Sequence, residues 1–253
     1  MTRKAVLVTG GAKRLGAAMC RRFAEAGWHV VIHCNRSVDA AEELAREMPS
    51  AGVVRCDLAD AEAAATMVQD LAQRLDDWRC LVNSASVFSP DTVTALDPET
   101  NRKAMQVNAA TPALMAQAYL ARARSMAGRR VVQVTDQKLV NLNPDFFSYT
   151  MSKAAADVAA RMLAMNVAGD DRVYTLAPGA ILASHDQSED EAEQSHKRNL
   201  LRRRTQVDEV AEAALFLAQG RLANGQALYI DSGQHLLNQP RDVIYLEREG
   251  EAR

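Results

Sequence analysis

Short apolar runs alternate with stretches of helical periodicity along this chain, and that alternation constrains its fold more than any other feature. Ala5–Thr9, His29–His33, Val53–Cys56, Arg79–Asn83, Arg130–Thr135, Arg172–Leu176 and Gln226–Ile230 have the length and β-branched content of buried strands. Between them lie Arg14–Ala26, Val38–Met48, Asp60–Leu75, Pro98–Met126, Ser148–Val167 and Val207–Gln219, where apolar side chains recur at helical spacing, as Leu15, Met19 and Phe23 do. Such an order predicts right-handed crossovers and a parallel sheet with helices on both faces. No Pro-, Gly- or Ser-rich linker interrupts it and no internal repeat is present. The expectation is one doubly wound, Rossmann-type α/β domain over residues 1–253, with a seven-stranded parallel sheet. Two segments depart from the pattern. Residues 183–205 are polar and read either as a solvated excursion or as a lid over a site. Residues 239–253 are charged but carry Val243-Ile244-Tyr245-Leu246, which either dock on a neighbouring subunit or fray.

Composition then narrows the partners. The chain has 30 basic and 32 acidic residues, a net charge of −2, so no basic field recruits nucleic acid. No apolar run approaches the ~18 residues of a membrane span, and the stretch after Arg3-Lys4 ends at Gly10-Gly11, too short for a signal-peptide core. The four cysteines, Cys20, Cys34, Cys56 and Cys80, form no CxxC pair. They read as buried free thiols in a reducing compartment, most simply the cytoplasm. His29, His33, His185, His196 and His235 lack ligand spacing, so no metal is expected.

In a doubly wound sheet, ligands bind beyond the carboxyl ends of the strands. Thr9-Gly10-Gly11-Ala12-Lys13-Arg14-Leu15-Gly16 lies between the first strand and the first helix. Glycines permit a tight turn there, and free amides at the helix start face a pyrophosphate, so the turn predicts dinucleotide binding. The end of the second strand reads His33-Cys34-Asn35-Arg36-Ser37. It lacks the carboxylate that would accept from a ribose 2′-hydroxyl, and Arg36 with Ser37, helped by Lys13 and Arg14, suits a 2′-phosphate. NADPH is therefore expected over NADH. After the fifth strand, Tyr149 and Lys153 stand one turn apart on a helix and point the same way. A cation beside a phenol is expected to lower its pKa and ease proton transfer.

With these residues in place, the chain resembles a short-chain dehydrogenase/reductase over essentially its whole length. The resemblance implies that Tyr149 is the general acid, that Lys153 orients the nicotinamide ribose, and that Asn108 supports the proton relay. It implies that Asn83-Ser84-Ala85 holds the adenosine side and that Asp57 contacts adenine, with Leu58 beside it. It places Leu15, His33 and Thr135 against the cofactor, and Pro178, Gly179 and Ile181 beside the carboxamide. It also implies a homotetramer built on the long helices, which the face of Ala154, Val158 and Met162 suits. In some relatives a C-terminus closes its neighbour's site, a role assigned here to Arg241 or Tyr245.

Two departures from the general family pattern are informative. The usual serine thirteen residues before the tyrosine is Asp136, and the middle glycine of the turn is Arg14. Both resemble pteridine and dihydromonapterin reductases, as do Ser84-Ala85-Ser86-Val87-Phe88 and Asp231-Ser232-Gly233-Gln234-His235. A serine donates to a ketone oxygen; an ionised aspartate cannot, and its charge opposes a developing alkoxide. A pterin offers ring N–H donors and ring nitrogens that need protons. Phe88 would stack on the bicycle, Arg14 would reach phosphate and pterin, and Ser86 would add a hydrogen bond. The expected reaction is hydride transfer to C6 of a 7,8-dihydropterin with N5 protonated through ordered water. With fully oxidised pterins, Asp136 and Tyr149 would protonate N8. The alternatives are a carbonyl reductase, for instance of 3-oxoacyl thioesters, and a noncatalytic NADPH-binding sensor.

Overall fold

A computed structural model of the chain describes residues 3–184 and 187–251, with side chains to residue 248; His185 lies outside the described residues. Its seven strands are β1 (Ala5–Val8), β2 (His29–Cys34), β3 (Ala51–Arg55), β4 (Trp78–Asn83), β5 (Arg130–Val134), β6 (Arg172–Pro178) and β7 (Ala227–Ile230). They form one sheet in the order β3-β2-β1-β4-β5-β6-β7. Every pairing is parallel, with Val6 opposite Val30 on one side and Cys80 on the other. The winding reverses between β1 and β4, which opens a crevice at their carboxyl ends.

The strand period of two divides the core. Val6, Val8 and Ile32 join one layer with Phe23, Leu215 and Leu217. These come from α1 (Arg14–Glu25) and α8 (Val207–Ala218), with α2 (Val38–Arg46) on the same face. Leu7, Val31 and Leu81 join the other layer with Leu71, Met115 and Tyr119, from α3 (Ala61–Arg74) and α5 (Thr111–Arg122), beside α6 (Phe147–Asn166). All four cysteines are buried and unpaired in these layers. Among the described residues no helix is long and apolar enough to cross a membrane.

The expected helix over Pro98–Met126 divides into α4 (Pro98–Met105), a π turn at Gln106–Ala110, and α5. Pro112 lacks the N–H that would close onto the Asn108 carbonyl, and the helix widens where that bond is missing. It ends at Arg122, and Asp77 Oδ1 captures the Met126 N–H at 2.9 Å. The polar 183–205 segment contains α7 (Glu189–Ser195), opened by a capping box between Ser188 and Glu191.

The tail folds as α9 (Val243–Glu251) and packs on α7 of its own chain, with Arg248 Nε 3.1 Å from Glu191 and Arg198 Nε 2.7 Å from Glu247. The tail is therefore an ordered helix docked on its own chain and does not fray. Arg241 pairs with Asp145 at 2.9 Å, and Tyr245 stacks on Phe146 of the same chain. The local pattern gave no sign of this because the partners lie about a hundred residues back along the chain.

Candidate active site

The turn after β1 is shaped by two close approaches. Gly10 adopts φ +65°, and a Cβ there would lie 3.0 Å from Ala85 Cα. A Cβ on Gly16 would lie 2.2 Å from the Gly10 carbonyl oxygen, so the helix start rests directly on the turn. Thr9 Oγ1 accepts from Ser84 N at 2.9 Å and Ala85 N at 3.0 Å, which locks the β4 turn beside it. Arg14 occupies φ +53°, a left-handed conformation that costs a non-glycine residue about 1 kcal/mol. Its guanidinium donates to the Ala183 carbonyl at 2.7 Å, tying the turn to the start of the polar 183–205 segment.

His33 was expected against the cofactor, but its side chain is buried beneath the turn. Nδ1 accepts from Gly10 N at 3.1 Å, so Nε2 carries the proton and donates to Cys56 O at 3.1 Å. Burial pushes its pKa down to about 4. The side chains of Leu58 and Asn83 likewise face the core and not the cavity. Leu58 lies in the layer below the sheet, and Asn83 donates to Gln133 and Pro112 at 3.1 and 3.3 Å. In contrast, Lys13, Arg36 and Asp57 are exposed around the crevice, with Asn35 and Ser37 half-buried between them.

A cavity of about 420 Å³ opens at the carboxyl ends of the strands. It brings together Arg14, Leu15, Ser84, Ser86 and Phe88 from the first and fourth turns, Thr135 and Asp136 from the fifth, and Tyr149 and Lys153 from α6. Pro178, Gly179 and Ile181 line its floor after β6. The Tyr149 hydroxyl donates to Asp136 Oδ2 at 2.7 Å, and Asp136 Oδ1 accepts from Lys138 N at 2.8 Å. Lys153 Nζ donates to the Val134 carbonyl at 3.0 Å and lies 5.6 Å from the Tyr149 ring centroid. Burial lowers the lysine pKa to about 8.

The phenol moves opposite to expectation. Burial, then the negative charge and hydrogen-bond acceptance of Asp136, raise its pKa well above the usual tyrosine value. The nearby ammonium does not offset this, because it donates to the Val134 backbone carbonyl and not to the phenol. The pair therefore holds its proton on the phenol oxygen, shared toward the carboxyl.

Asn108 acts on the loop above this pair. Oδ1 accepts from Val87 N at 2.8 Å, and Nδ2 donates to Val87 O and Ser152 Oγ, both at 2.9 Å. Its side chain thus positions the loop that carries Phe88. One face of Phe88 stacks on Phe146 at 4.2 Å, and its ring meets Tyr149 edge-on at 4.7 Å. Phe146 itself sits at φ +53° before α6. Periodicity missed Lys138, Asp242, Val243 and Ile244, which also line the cavity. The single signal was the apolar Val243–Leu246 run in a charged tail.

The residues present fit a phosphorylated dinucleotide. A glycine-lined turn meets a helix start whose N-cap Lys13 supplies no side-chain cap, leaving first-turn amides for an anion. Lys153 is a buried ammonium with three donors, of which the Val134 carbonyl takes one among the described residues, leaving donors for ribose hydroxyls. At the end of β2, an exposed Arg36 stands where a carboxylate would repel a 2′-phosphate. Among the described residues no group of three or more His, Cys, Asp or Glu could hold a metal ion.

Comparison with known proteins agrees with this geometry. The family profile described as enoyl-(acyl carrier protein) reductase matches residues 10–235. The structure is similar to that of FolM alternative dihydrofolate reductase 1 from Brucella canis, complexed with NADP. That similarity has a TM-score of 0.86 at 36% identity, covering 92% of this chain and 94% of that one. The sequence is 29% identical to a putative ketoacyl reductase of granaticin polyketide synthesis from Streptomyces violaceoruber, over 91% of this chain and 96% of the relative. It is 23% identical to a dihydromonapterin reductase from Escherichia coli, again over 91% and 96%. Fold, glycine turn, Tyr149–Lys153 pair and family profile coincide along one chain, which belongs to the short-chain dehydrogenase/reductase family of oxidoreductases.

Proposed function

We propose that this protein is an NADPH-dependent reductase of pterins, taking a 7,8-dihydropterin to the tetrahydro form. The observation that carries the reading is the 2.7 Å hydrogen bond from Tyr149 to Asp136 inside the cavity. A ketone reductase needs a neutral donor aimed at the carbonyl oxygen, and a carboxylate beside a nascent alkoxide raises the barrier. A pterin reverses that preference, since its ring N–H groups donate to Asp136 and its ring nitrogens take up a proton. When bound, the reduced nicotinamide supplies the hydride that saturates the C6=N5 bond.

The chain supplies the rest. Lys153 and the Gly10–Gly16 turn hold the dinucleotide, and Arg36 with Ser37 selects the 2′-phosphate. Phe88, backed by Phe146, offers a flat face to the bicycle. Arg14 and Ser86 serve the amino-pyrimidine end. Asp136 and Tyr149 hold the proton store at the pyrazine end, delivering to N5 through ordered water. The similarity to the FolM and dihydromonapterin reductases supports this reading. The exposed stripe Ala154, Val158 and Met162 on α6 supports a homotetramer assembled through that helix.

The ketoacyl reductase relative keeps a carbonyl substrate as the competing reading. NADPH consumption with dihydromonapterin, dihydrobiopterin and dihydrofolate, set against an acetoacetyl thioester, separates the two. Pterin turnover is expected, and Asp136→Ser should cut its kcat by about 100-fold or more. No turnover of any pterin, or thioester turnover that survives Asp136→Ser, would reject the proposal.

A further inference from the structure

The cavity lining joins segments far apart in sequence. Arg14 and Ser86 come from the turns after β1 and β4. Lys138 and Asp242 come from the loop after β5 and from the C-terminal segment, and the Lys138 N–H donates to Asp136 Oδ1 at 2.8 Å beside the phenol. Nothing in the reaction above uses Asp242, yet its placement is heavily determined. Its backbone N donates to Asp145 Oδ2 at 2.8 Å, and Arg241 grips the same buried carboxylate at 2.9 and 3.1 Å. The Asp242 side chain is 19% exposed. Oδ1 accepts from Ile244 N at 3.2 Å, but Oδ2 meets Lys138 Nζ only at 3.5 Å, because that ammonium donates to the Asp145 carbonyl at 2.6 Å. Asp242 thus lines the cavity beside Val243 and Ile244, and among the described residues its Oδ2 has no hydrogen bond shorter than the 3.5 Å one to Lys138. Burial raises its pKa, Asp136 adds like charge, and Lys138 opposes both. An acceptor held this loosely can take a hydrogen bond from a ligand donor in the cavity.

We propose that Asp242 recognises the C6 substituent of the dihydropterin, accepting hydrogen bonds from its hydroxyl groups, and so selects hydroxyalkyl pterins over folates. The inference rests on the pterin reading above. C6 belongs to the pyrazine ring, the end that Tyr149 and Asp136 serve, while the amino-pyrimidine ring points toward Arg14 and Ser86. Whatever lies just beyond the phenol therefore meets the C6 substituent. A hydroxyalkyl chain gives O–H donors to Asp242 and oxygen acceptors to Lys138. A folate brings an aminobenzoyl ring to the same place, which strips water from the carboxyl and returns at most one N–H, and its glutamyl carboxylates add like charge.

The test compares dihydromonapterin, 6-methyl-dihydropterin and dihydrofolate, by KM with NADPH and by equilibrium binding to the NADP⁺-saturated enzyme. The wild type should prefer dihydromonapterin over each of the others by about tenfold or more, the value of one hydrogen bond to a charged group. Asp242→Ala should reduce its preference over the 6-methyl compound to about threefold or less. Asp242→Asn keeps size and hydrogen-bonding capacity and should relax chiefly the rejection of dihydrofolate. Thermal melts establish that both variants fold, and if Asp242→Ala does not, the Asn variant's dihydrofolate ratio decides. Unchanged ratios in the folded variants overturn the proposal and leave pterin reduction standing, as does a wild type blind to the C6 substituent. A wild type that binds and reduces none of the three overturns the pterin reading and this inference with it.

Discussion

His33 shows how one buried side chain can shape a turn from beneath. Its imidazole fixes the Gly10 amide from below, and the two hydrogen bonds at 3.1 Å define which nitrogen carries the proton. Its pKa, held near 4 by burial, lies below the ordinary 6.5. The unfolded chain therefore binds a proton between pH 6.5 and 4 that the folded chain refuses. Stability from this group is full above 6.5 and declines as pH falls, by about 3 kcal/mol at pH 4. An NMR titration of the His33 ring should have its midpoint near 4; a midpoint near 6.5 contradicts this account. Residue-level reading of the sequence found the chemistry-bearing types. It could not tell that His33, Leu58 and Asn83 turn inward, because adjacent positions of a strand end face opposite sides.

At the level of elements, the first turn of α1 joins two functions. Arg14 sits in a conformation suited to glycine, held by its bond to Ala183, and this links the phosphate turn to the polar 183–205 segment. Arg14→Gly relieves the left-handed strain but adds chain entropy to the unfolded state, and these terms nearly cancel. Stability by chemical denaturation should change by less than about 1 kcal/mol. NADPH affinity should fall by about tenfold or more through loss of a charged donor. An unchanged Kd would remove Arg14 from the cofactor site. Most elements were legible from periodicity, with ends shifted by a residue or two. The π turn at Gln106–Ala110 was not, since an Ala-rich helical pattern runs straight through it and only Pro112 marks the defect.

For the whole molecule, binding and folding are linked. NADPH at about 100 times its Kd should stabilise the fold by about 2.7 kcal/mol, since only the assembled crevice binds it. NADH at the same concentration should raise the Tm by less, because the Arg36–Ser37 corner then has no 2′-phosphate to hold. Equal shifts with the two cofactors would reject that corner as the selecting feature.

The sequence by itself determined the alternating elements, the parallel sheet, the phosphate turn and the Asp136–Tyr149–Lys153 set, because each is written in neighbouring residues or in fixed helical and strand periods. Tertiary structure alone decided that the tail returns to its own cavity, placing Asp242 beside Lys138, 104 residues away in sequence. It also decided the direction in which the Tyr149 pKa moves. Contacts between distant segments and the burial of charge depend on how the layers pack, and no local pattern of residue types records that.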